Sequence, residues 1–139
     1  MTDEDFIIER YILRIGNRIN NGRNKNLAQI DLTPNQSETL LFFGTNKGKT
    51  IIDLKNHLHI THQAARNTVE RMKKKDLLYV VISKEDARFK HIYLTEKGKE
   101  LFNTLKAIGT TIGQQLLQGL SIKEKNILYS LLLKIDSNI

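Results

Sequence analysis

The segment Thr61–Lys75 carries the side chains whose types and spacing point most directly to a chemistry. It predicts a helix with one apolar edge, because Ala65, Val69 and Met72 recur at helical spacing. Most of its other positions carry groups that donate or accept hydrogen bonds, namely Thr61, His62, Gln63, Arg66, Asn67 and Arg71. Such an edge can read base edges in a DNA major groove, and it can equally be an ordinary solvated helix face.

The positive charge of the chain is concentrated around this segment. Residues 47–99 hold 13 Lys and Arg residues against 6 Asp and Glu residues, whereas the rest of the 139-residue chain holds 9 of each. The whole net charge of +7 therefore lies in the middle of the chain, which favours binding of a polyanion such as double-stranded DNA. The segment lacks the broad apolar face of a membrane-surface helix, so no membrane partner is expected.

Several other classes of protein are disfavoured by composition. The sequence contains no cysteine, which excludes disulfides, thiolate zinc sites and thiol-based redox sensing. It has neither a signal peptide pattern nor an apolar run long enough to cross a bilayer, so we expect a cytoplasmic protein. No catalytic motif or glycine-rich phosphate loop is present, so we expect neither an enzyme nor a cofactor.

Three histidines raise the question of a metal site. His57, His59 and His62 lie within six residues of one another. They fall on a helix, a turn and a helix start, with no obvious acidic fourth ligand. We therefore predict no metal site, and metal binding by these histidines is left as an open alternative.

Helix start signals organise the chain before the Thr61–Lys75 segment. Thr33-Pro34-Asn35-Gln36 combines a cap, a proline at the first helical position and a glutamine that completes a capping box. The helix that follows is expected to end at Gly44. Thr50 is expected to cap a short helix, and His59-Ile60 is expected to form a tight break before Thr61. Two short helices in this arrangement predict a helix-turn-helix.

A hairpin is predicted directly after the second of these helices. Leu78, Val80 and Ile82 alternate with other side chains and predict one strand, and Ile92 and Leu94 mark a second strand. The polar run Lys84–Arg88 between them predicts an exposed loop, so the two strands form a β-wing. The predicted fold is mostly α with a small β-wing, a winged helix-turn-helix over about residues 33–98.

The two ends of the chain predict further helices with apolar stripes. Thr2 is expected to cap the first helix, which should end near Asn20 and leave residues 22–32 as a loop or an irregular helix. Thr95 and Ser121 are expected to cap two C-terminal helices, the first ending at Gly119. A winged helix needs only part of this apolar surface as cover. We therefore expect helices at about residues 3–20 and 100–137 to form a homodimer interface, the alternative being that they complete a monomeric core.

The segment Asp86–Gly98 resembles the signature of the MarR (multiple antibiotic resistance regulator) family. It has Asp-x-Arg at the tip of the wing and then Leu-Thr-x-x-Gly leading into a long helix. The order of elements is similar to that family over essentially the whole chain, residues 1–139, taken as a single MarR-type domain. The resemblance implies a sequence-specific DNA-binding transcriptional regulator, usually a homodimeric repressor of a pseudo-palindromic operator that a small molecule releases.

The resemblance also implies roles for individual residues. The Thr61–Lys75 helix would enter the major groove, and Arg88 would enter the flanking minor groove. Asp86 would orient Arg88 through a charge-assisted hydrogen bond. Independently of the resemblance, Lys90 is expected to attract phosphate or to remain a solvated charge. Ala87, Phe89 and Lys90 depart from the residues frequent in the family, which implies a more flexible wing or fewer phosphate contacts.

Two further points follow from the resemblance. Asp76 stands where the family often has glycine after the recognition helix, and aspartate tolerates the left-handed conformation that such a turn needs. An effector pocket would lie between the dimerisation helices and the DNA-binding part, with Tyr11, Phe42 and Phe43 as walls unless they are plain core. Phenolic or lipophilic compounds are open as effectors, and so is the absence of any effector.

The competing function is a winged-helix architectural or protein-interaction module that uses its basic face without sequence specificity.

Overall fold

The computed structural model describes residues 3–139, so the predicted cap Thr2 lies outside the described residues. The described chain forms six helices and one two-stranded antiparallel sheet. The elements in order are α1 (Glu4–Gln29), α2 (Pro34–Thr45), α3 (Ile51–Leu58), α4 (His62–Lys74), β1 (Leu78–Ile82), β2 (Lys90–Leu94), α5 (Glu96–Leu116) and α6 (Ile122–Asp136). This is the mostly α fold with a β-wing that the sequence predicts.

The chain is divided into two compact units, of which one extends to Ala107 and the other is formed by Ile108–Ile139. The first contains the helix-turn-helix and the wing, and its core joins apolar side chains from α1 to α5. The most deeply buried of these are Leu27, Leu40, Phe43, Leu54, Ala65, Val69, Met72 and Ile92. That the whole of residues 1–139 forms a single domain stays a prediction. None of the described helices is long and apolar enough to cross a membrane.

The predicted capping boxes at Thr33 and Ser121 have the expected geometry, and the predicted cap Thr50 forms a third box. At the start of α2 the Thr33 hydroxyl accepts from the Gln36 backbone N–H at 3.2 Å, and the Gln36 side chain accepts from the Thr33 N–H at 3.3 Å. Thr50 with Asp53 and Ser121 with Glu124 do the same for α3 and α6. Each box satisfies two backbone donors that a helix start would otherwise leave unpaired.

The first helix is longer than predicted. α1 continues to Gln29, so the predicted end near Asn20 and the loop over residues 22–32 are wrong. Its last turns are held by tertiary contacts, because Leu27 is only 2% exposed and Arg23 pairs with Glu38 of α2 at 3.2 Å. This packing outweighs the poor helix propensity of the asparagines and the glycine.

Gly44 is a site of close approach rather than a helix stop, because α2 includes it and ends at Thr45. A Cβ at Gly44 would lie 2.3 Å from the Phe102 ring of α5. At the start of α5, a Cβ on Gly98 would lie 2.2 Å from the Leu77 carbonyl oxygen. Glycine is therefore needed where the first turn of α5 crosses the chain entering the sheet.

Candidate nucleic-acid interface

The turn between α3 and α4 fixes the direction in which α4 leaves the core. His59 adopts a left-handed conformation with φ 54°, and its N–H and that of Ile60 both bond to the Lys55 carbonyl at the end of α3. Thr61 then caps α4, its hydroxyl accepting from the Ala64 N–H at 3.1 Å. The predicted tight break at His59-Ile60 is thus present, and it ends one helix and starts the next within three residues.

The apolar edge and the polar edge of α4 lie on opposite sides of the helix, as the sequence predicts. Ala65, Val69 and Met72 are at most 1% exposed and bury one edge of the helix in the core. The predicted site residues of this segment are all exposed, and they are Thr61, His62, Gln63, Arg66, Asn67 and Arg71. Burial of one edge therefore holds the opposite edge, with its hydrogen-bonding groups, toward solvent.

The polar groups on the exposed edge of α4 are not equivalent. The Gln63 Nε2 group donates to the Asn67 Oδ1 atom at 2.9 Å, so these two amides form a pair one helical turn apart. Within the described residues, the Arg66 side chain makes no hydrogen bond and no ion pair. Its five guanidinium N–H donors are therefore available to an incoming acceptor.

The wing is formed by β1 and β2, paired from Leu78 with Leu94 to Ile82 with Lys90. Its tip is an ordered turn rather than a loose loop. The Ser83 N–H bonds to the Phe89 carbonyl at 2.9 Å, and the Phe89 N–H bonds to the Asp86 carbonyl at 3.0 Å. The Ser83 hydroxyl also accepts from the backbone N–H groups of Glu85 and Asp86. A more flexible wing, or one with fewer phosphate contacts, stays a prediction.

Asp86 holds Arg88 as the resemblance implies. The Arg88 Nε and Nη2 atoms lie 3.0 and 2.8 Å from the two Asp86 carboxylate oxygens, and the Arg88 backbone N–H lies 3.0 Å from Oδ1. The hydrogen bonds from the Arg88 side chain and backbone lower the pKa of Asp86, and the same side-chain bond raises the pKa of Arg88. The Arg88 side chain is nevertheless 88% exposed, so a clamped and permanently charged guanidinium stands at the tip of the wing.

A groove of about 710 Å³ lies between the helix-turn-helix and the wing. Arg66, Lys73, Arg88 and Lys90 line it, with His62 at the start of α4, and Glu70 is the one carboxylate among its lining residues. Two separate predicted elements, the α4 edge and the wing tip, therefore face one basic groove, here called the α4–wing groove. Of the predicted site residues, Thr61, Gln63, Asn67 and Arg71 of the α4 segment and Asp86 of the wing are not part of its lining.

Some of the basic residues have structural partners instead. The Lys75 ammonium donates to the Asp31 carbonyl at 2.7 Å and to the Gln36 Oε1 atom at 3.0 Å, tying the end of α4 to the α1–α2 connection. Lys73 pairs with Glu70 at 3.3 Å. Asp76, which follows, has φ 61°, the left-handed turn that the resemblance implies for this position.

The three neighbouring histidines do not converge. No group of three or more metal-ligating side chains occurs among residues 3–139. His57 stacks on the Phe42 ring with 4.7 Å between ring centroids, His59 forms the left-handed turn, and His62 begins α4.

A second, smaller cleft of about 440 Å³ opens among α2, both strands and the start of α5. Phe43, Phe102 and the stacked pair Tyr79 and Tyr93 line it, with Lys47, Lys99 and Asn103 at its polar positions. Of the three suggested pocket walls, Phe43 lies in this cleft, Phe42 belongs to the core and Tyr11 is exposed on α1. The sequence did not indicate the tyrosine pair, since alternation marks a strand but not which face will border a cleft.

Comparison with known proteins gives a family match and a fold match. Residues 30–88 match the model of the MarR family. S. aureus MepR in its DNA-binding conformation is 27% identical, with a TM-score of 0.85 over 94% of this chain and 97% of that one. The transcriptional regulator SlyA is 25% identical, with a TM-score of 0.85 over 99% of this chain and 94% of that one.

A third structure covers the full length of the chain. It is a putative MarR family regulator from Listeria monocytogenes complexed with 26mer DNA, 24% identical, with a TM-score of 0.89 over 100% of this chain and 90% of that one. No curated protein sequence matches the chain.

Proposed function

We infer that the chain is a DNA-binding transcriptional regulator, on the premise that it is a MarR-family protein. The matched segment, residues 30–88, contains the helix-turn-helix and the wing tip, and the fold similarity extends over the whole chain. MepR of S. aureus and FabT of Streptococcus pneumoniae, which share the fold, have been solved in complex with DNA. The observation that carries the inference is the α4–wing groove, where Arg66 and the Asp86-clamped Arg88 line one basic surface.

The proposed binding mode assigns each element a groove of the duplex. The exposed edge of α4 enters the major groove, where Arg66 reads a guanine and the Gln63–Asn67 pair reads adenine or binds phosphate. Arg88 enters the adjacent minor groove, whose negative potential is strongest where A·T pairs narrow it. Lys90 and the exposed lysines after α4 attract phosphate.

Selection of DNA from a random duplex pool tests this proposal. A sequence-specific regulator recovers one pseudo-palindromic motif whose half-sites are about one helical turn, or 10 to 10.5 base pairs, apart. Recovery of unrelated sequences with equal affinity would contradict it and would favour the architectural module. The matched control is an Arg66→Ala, Arg88→Ala double variant, which should recover no motif while keeping its fold.

A second copy of the chain is the proposed protein partner. No residue of α6 is buried, and its Ile127, Leu131 and Leu132 are about half exposed. α1 exposes an apolar stripe of its own, made of Phe6, Ile8, Ile12 and Ile15. Apolar faces of this extent on two helices indicate surfaces that a partner covers.

Sedimentation equilibrium tests the homodimer. The wild-type chain should sediment as a dimer, and Leu132→Glu should shift it to monomer because the change puts a charge into the buried interface. Asn126→Glu, an exposed polar position on the same helix, should leave the dimer intact. A wild-type monomer at micromolar concentration would contradict the proposal.

The proposed function also includes repression that a small molecule relieves. The proposed location is the cytoplasm, where the DNA lies. The cleft that Phe43, Tyr79, Tyr93 and Phe102 line supports an effector with an aromatic ring, and Lys47 and Lys99 suit an acidic substituent. Small phenolic acids such as 4-hydroxybenzoate should therefore raise the melting temperature and release bound DNA. Tyr79→Ala, which removes an exposed ring from the cleft, should abolish both responses, and equal responses in that variant would contradict the assignment of the cleft.

A further inference from the structure

Three large apolar side chains lie exposed inside the basic α4–wing groove. Ile52 of α3 and Ile82 of β1 are each 56% exposed, and Phe89 at the base of the wing turn is 51% exposed. All three line the same groove as Arg66 and Arg88. A surface that only neutralised phosphates would need none of them. We call these three residues the apolar strip.

The backbone fixes two of the three residues, Ile82 and Phe89, on the groove side of the wing. Along β1, side chains alternate between the two faces of the sheet, so Val80 and Ile82 line the groove while Tyr79 and Val81 do not. Phe89 is held by hydrogen bonds at both its backbone N–H and its carbonyl. Ile82 and Phe89 are therefore built features of the wing, and Ile52 lines the same groove from α3.

The proposed binding mode determines what faces the strip. In this mode α4 lies in the major groove and Arg88 in the adjacent minor groove. The sugar-phosphate backbone of one DNA strand separates these two grooves, so it must cross the space between α4 and the wing tip. That backbone alternates phosphates with deoxyribose rings, whose C–H edges are apolar. The cations of the groove match the phosphates, which leaves the sugars for the apolar side chains.

We propose that Ile52, Ile82 and Phe89 pack against deoxyribose rings of the bound duplex and thereby make recognition depend on the sugar as well as on bases and phosphates. This proposal rests on the proposed DNA-binding function. A ribose in the same place would press its 2′-hydroxyl against apolar side chains, where it finds no hydrogen-bond partner. The strip therefore favours DNA over RNA at these positions, and it contributes affinity that salt does not screen.

Affinity measured across a salt series separates this contribution from that of the cations. Full burial of a phenylalanine side chain changes an equilibrium by roughly 10- to 100-fold, and about half of Phe89 is available, so Phe89→Ala should weaken binding roughly 3- to 10-fold. The loss should be the same at each salt concentration, because no phosphate contact is removed. Lys90→Ala should instead flatten the plot of log affinity against log salt by about 0.9 if it removes one phosphate contact.

Neighbouring residues of β1 supply a matched control. Ile82→Ala should weaken binding several-fold, whereas Val81→Ala, 45% exposed on the opposite face of the sheet, should leave the affinity unchanged. Melting temperatures of both variants check that the wing is still folded. Equal losses for Ile82→Ala and Val81→Ala, or a loss for Phe89→Ala that vanishes at high salt, would overturn the proposal.

A ribonucleotide scan of the selected duplex tests the sugar directly. Single ribonucleotides are placed in turn along one strand, and the affinity of the wild-type chain should fall several-fold at one or two adjacent positions only. In Phe89→Ala that local loss should disappear, since the side chain that met the 2′-hydroxyl is gone. A flat scan in the wild type, or a local loss that persists in Phe89→Ala, would overturn the sugar contact. Failure of the wild type to bind any duplex would instead overturn the proposed function itself.

Discussion

Arg66 provides the sharpest test of how α4 reads DNA. Its guanidinium is exposed and has no hydrogen-bond or ion-pair partner within residues 3–139, so binding DNA breaks no existing contact. A bidentate bond to the O6 and N7 atoms of guanine is worth about 1–3 kcal/mol of discrimination against other bases. Arg66→Ala should therefore weaken binding to the selected duplex roughly 5- to 150-fold.

The assay is a set of dissociation constants for the selected duplex and for its single base-pair substitutions. In the wild type, one position near the centre of each half-site should strongly favour G·C. In Arg66→Ala that preference should collapse, while preferences at the other positions persist. Lys25→Ala on α1, an exposed cation outside the expected dimer interface, is the control and should change neither affinity nor preference.

Two results would refute the reasoning for Arg66. Unchanged binding by Arg66→Ala would mean that the exposed edge of α4 is simply solvated at this position. A uniform loss at every position, with a shallower salt dependence, would mean that Arg66 contacts phosphate and reads no base.

Three further predictions concern the wing, the amide pair and the crossing at Gly98. Asp86→Ala should weaken DNA binding severalfold without changing the melting temperature, since it frees Arg88 to adopt many conformations. The pKa of Asp86 is lowered in the folded chain, so its carboxyl should stay charged until the pH falls below the ordinary aspartate range of about 4. The Asp86–Arg88 pair should therefore add no pH dependence to DNA affinity between about pH 6 and 8. An NMR titration that shows a raised pKa for this carboxyl would contradict the prediction. Gln63→Ala and Asn67→Ala should cost affinity non-additively in a double-mutant cycle, because each deletes the other's partner, and strict additivity would argue against the pair. Gly98→Ala should lower the free energy of unfolding by about 1–3 kcal/mol or more in urea denaturation, since its Cβ would meet the Leu77 carbonyl, and a neutral effect would show that the crossing can relax.

Local signals in the sequence account for most of the elements that form the interface. The caps at Thr33, Thr50 and Ser121 occur where their motifs predict them, because a capping box is satisfied within four residues. The apolar edge of α4 was likewise visible as a 3.6-residue repeat. Such features depend on neighbours along the chain, so a single sequence reveals them.

Features that depend on distant parts of the chain were not predictable. α1 continues past Asn20 because Leu27 and Arg23 find partners in the core and on α2. The sequence predicts a helix stop at Gly44, but the role of this glycine is set by the Phe102 ring more than fifty residues later. The apolar strip was missed for the same reason, since nothing local distinguishes Ile82 from Val81 until the sheet is placed beside α4.

The central claim is that the chain recognises a DNA sequence through the α4–wing groove. It is tested most directly by measuring, at one physiological salt concentration, the dissociation constants for the selected duplex and for a scrambled duplex of the same length and composition. We expect the selected duplex to bind at least about 10³-fold more tightly, with the advantage lost in the Arg66→Ala, Arg88→Ala double variant. Equal dissociation constants for the two duplexes would contradict the claim.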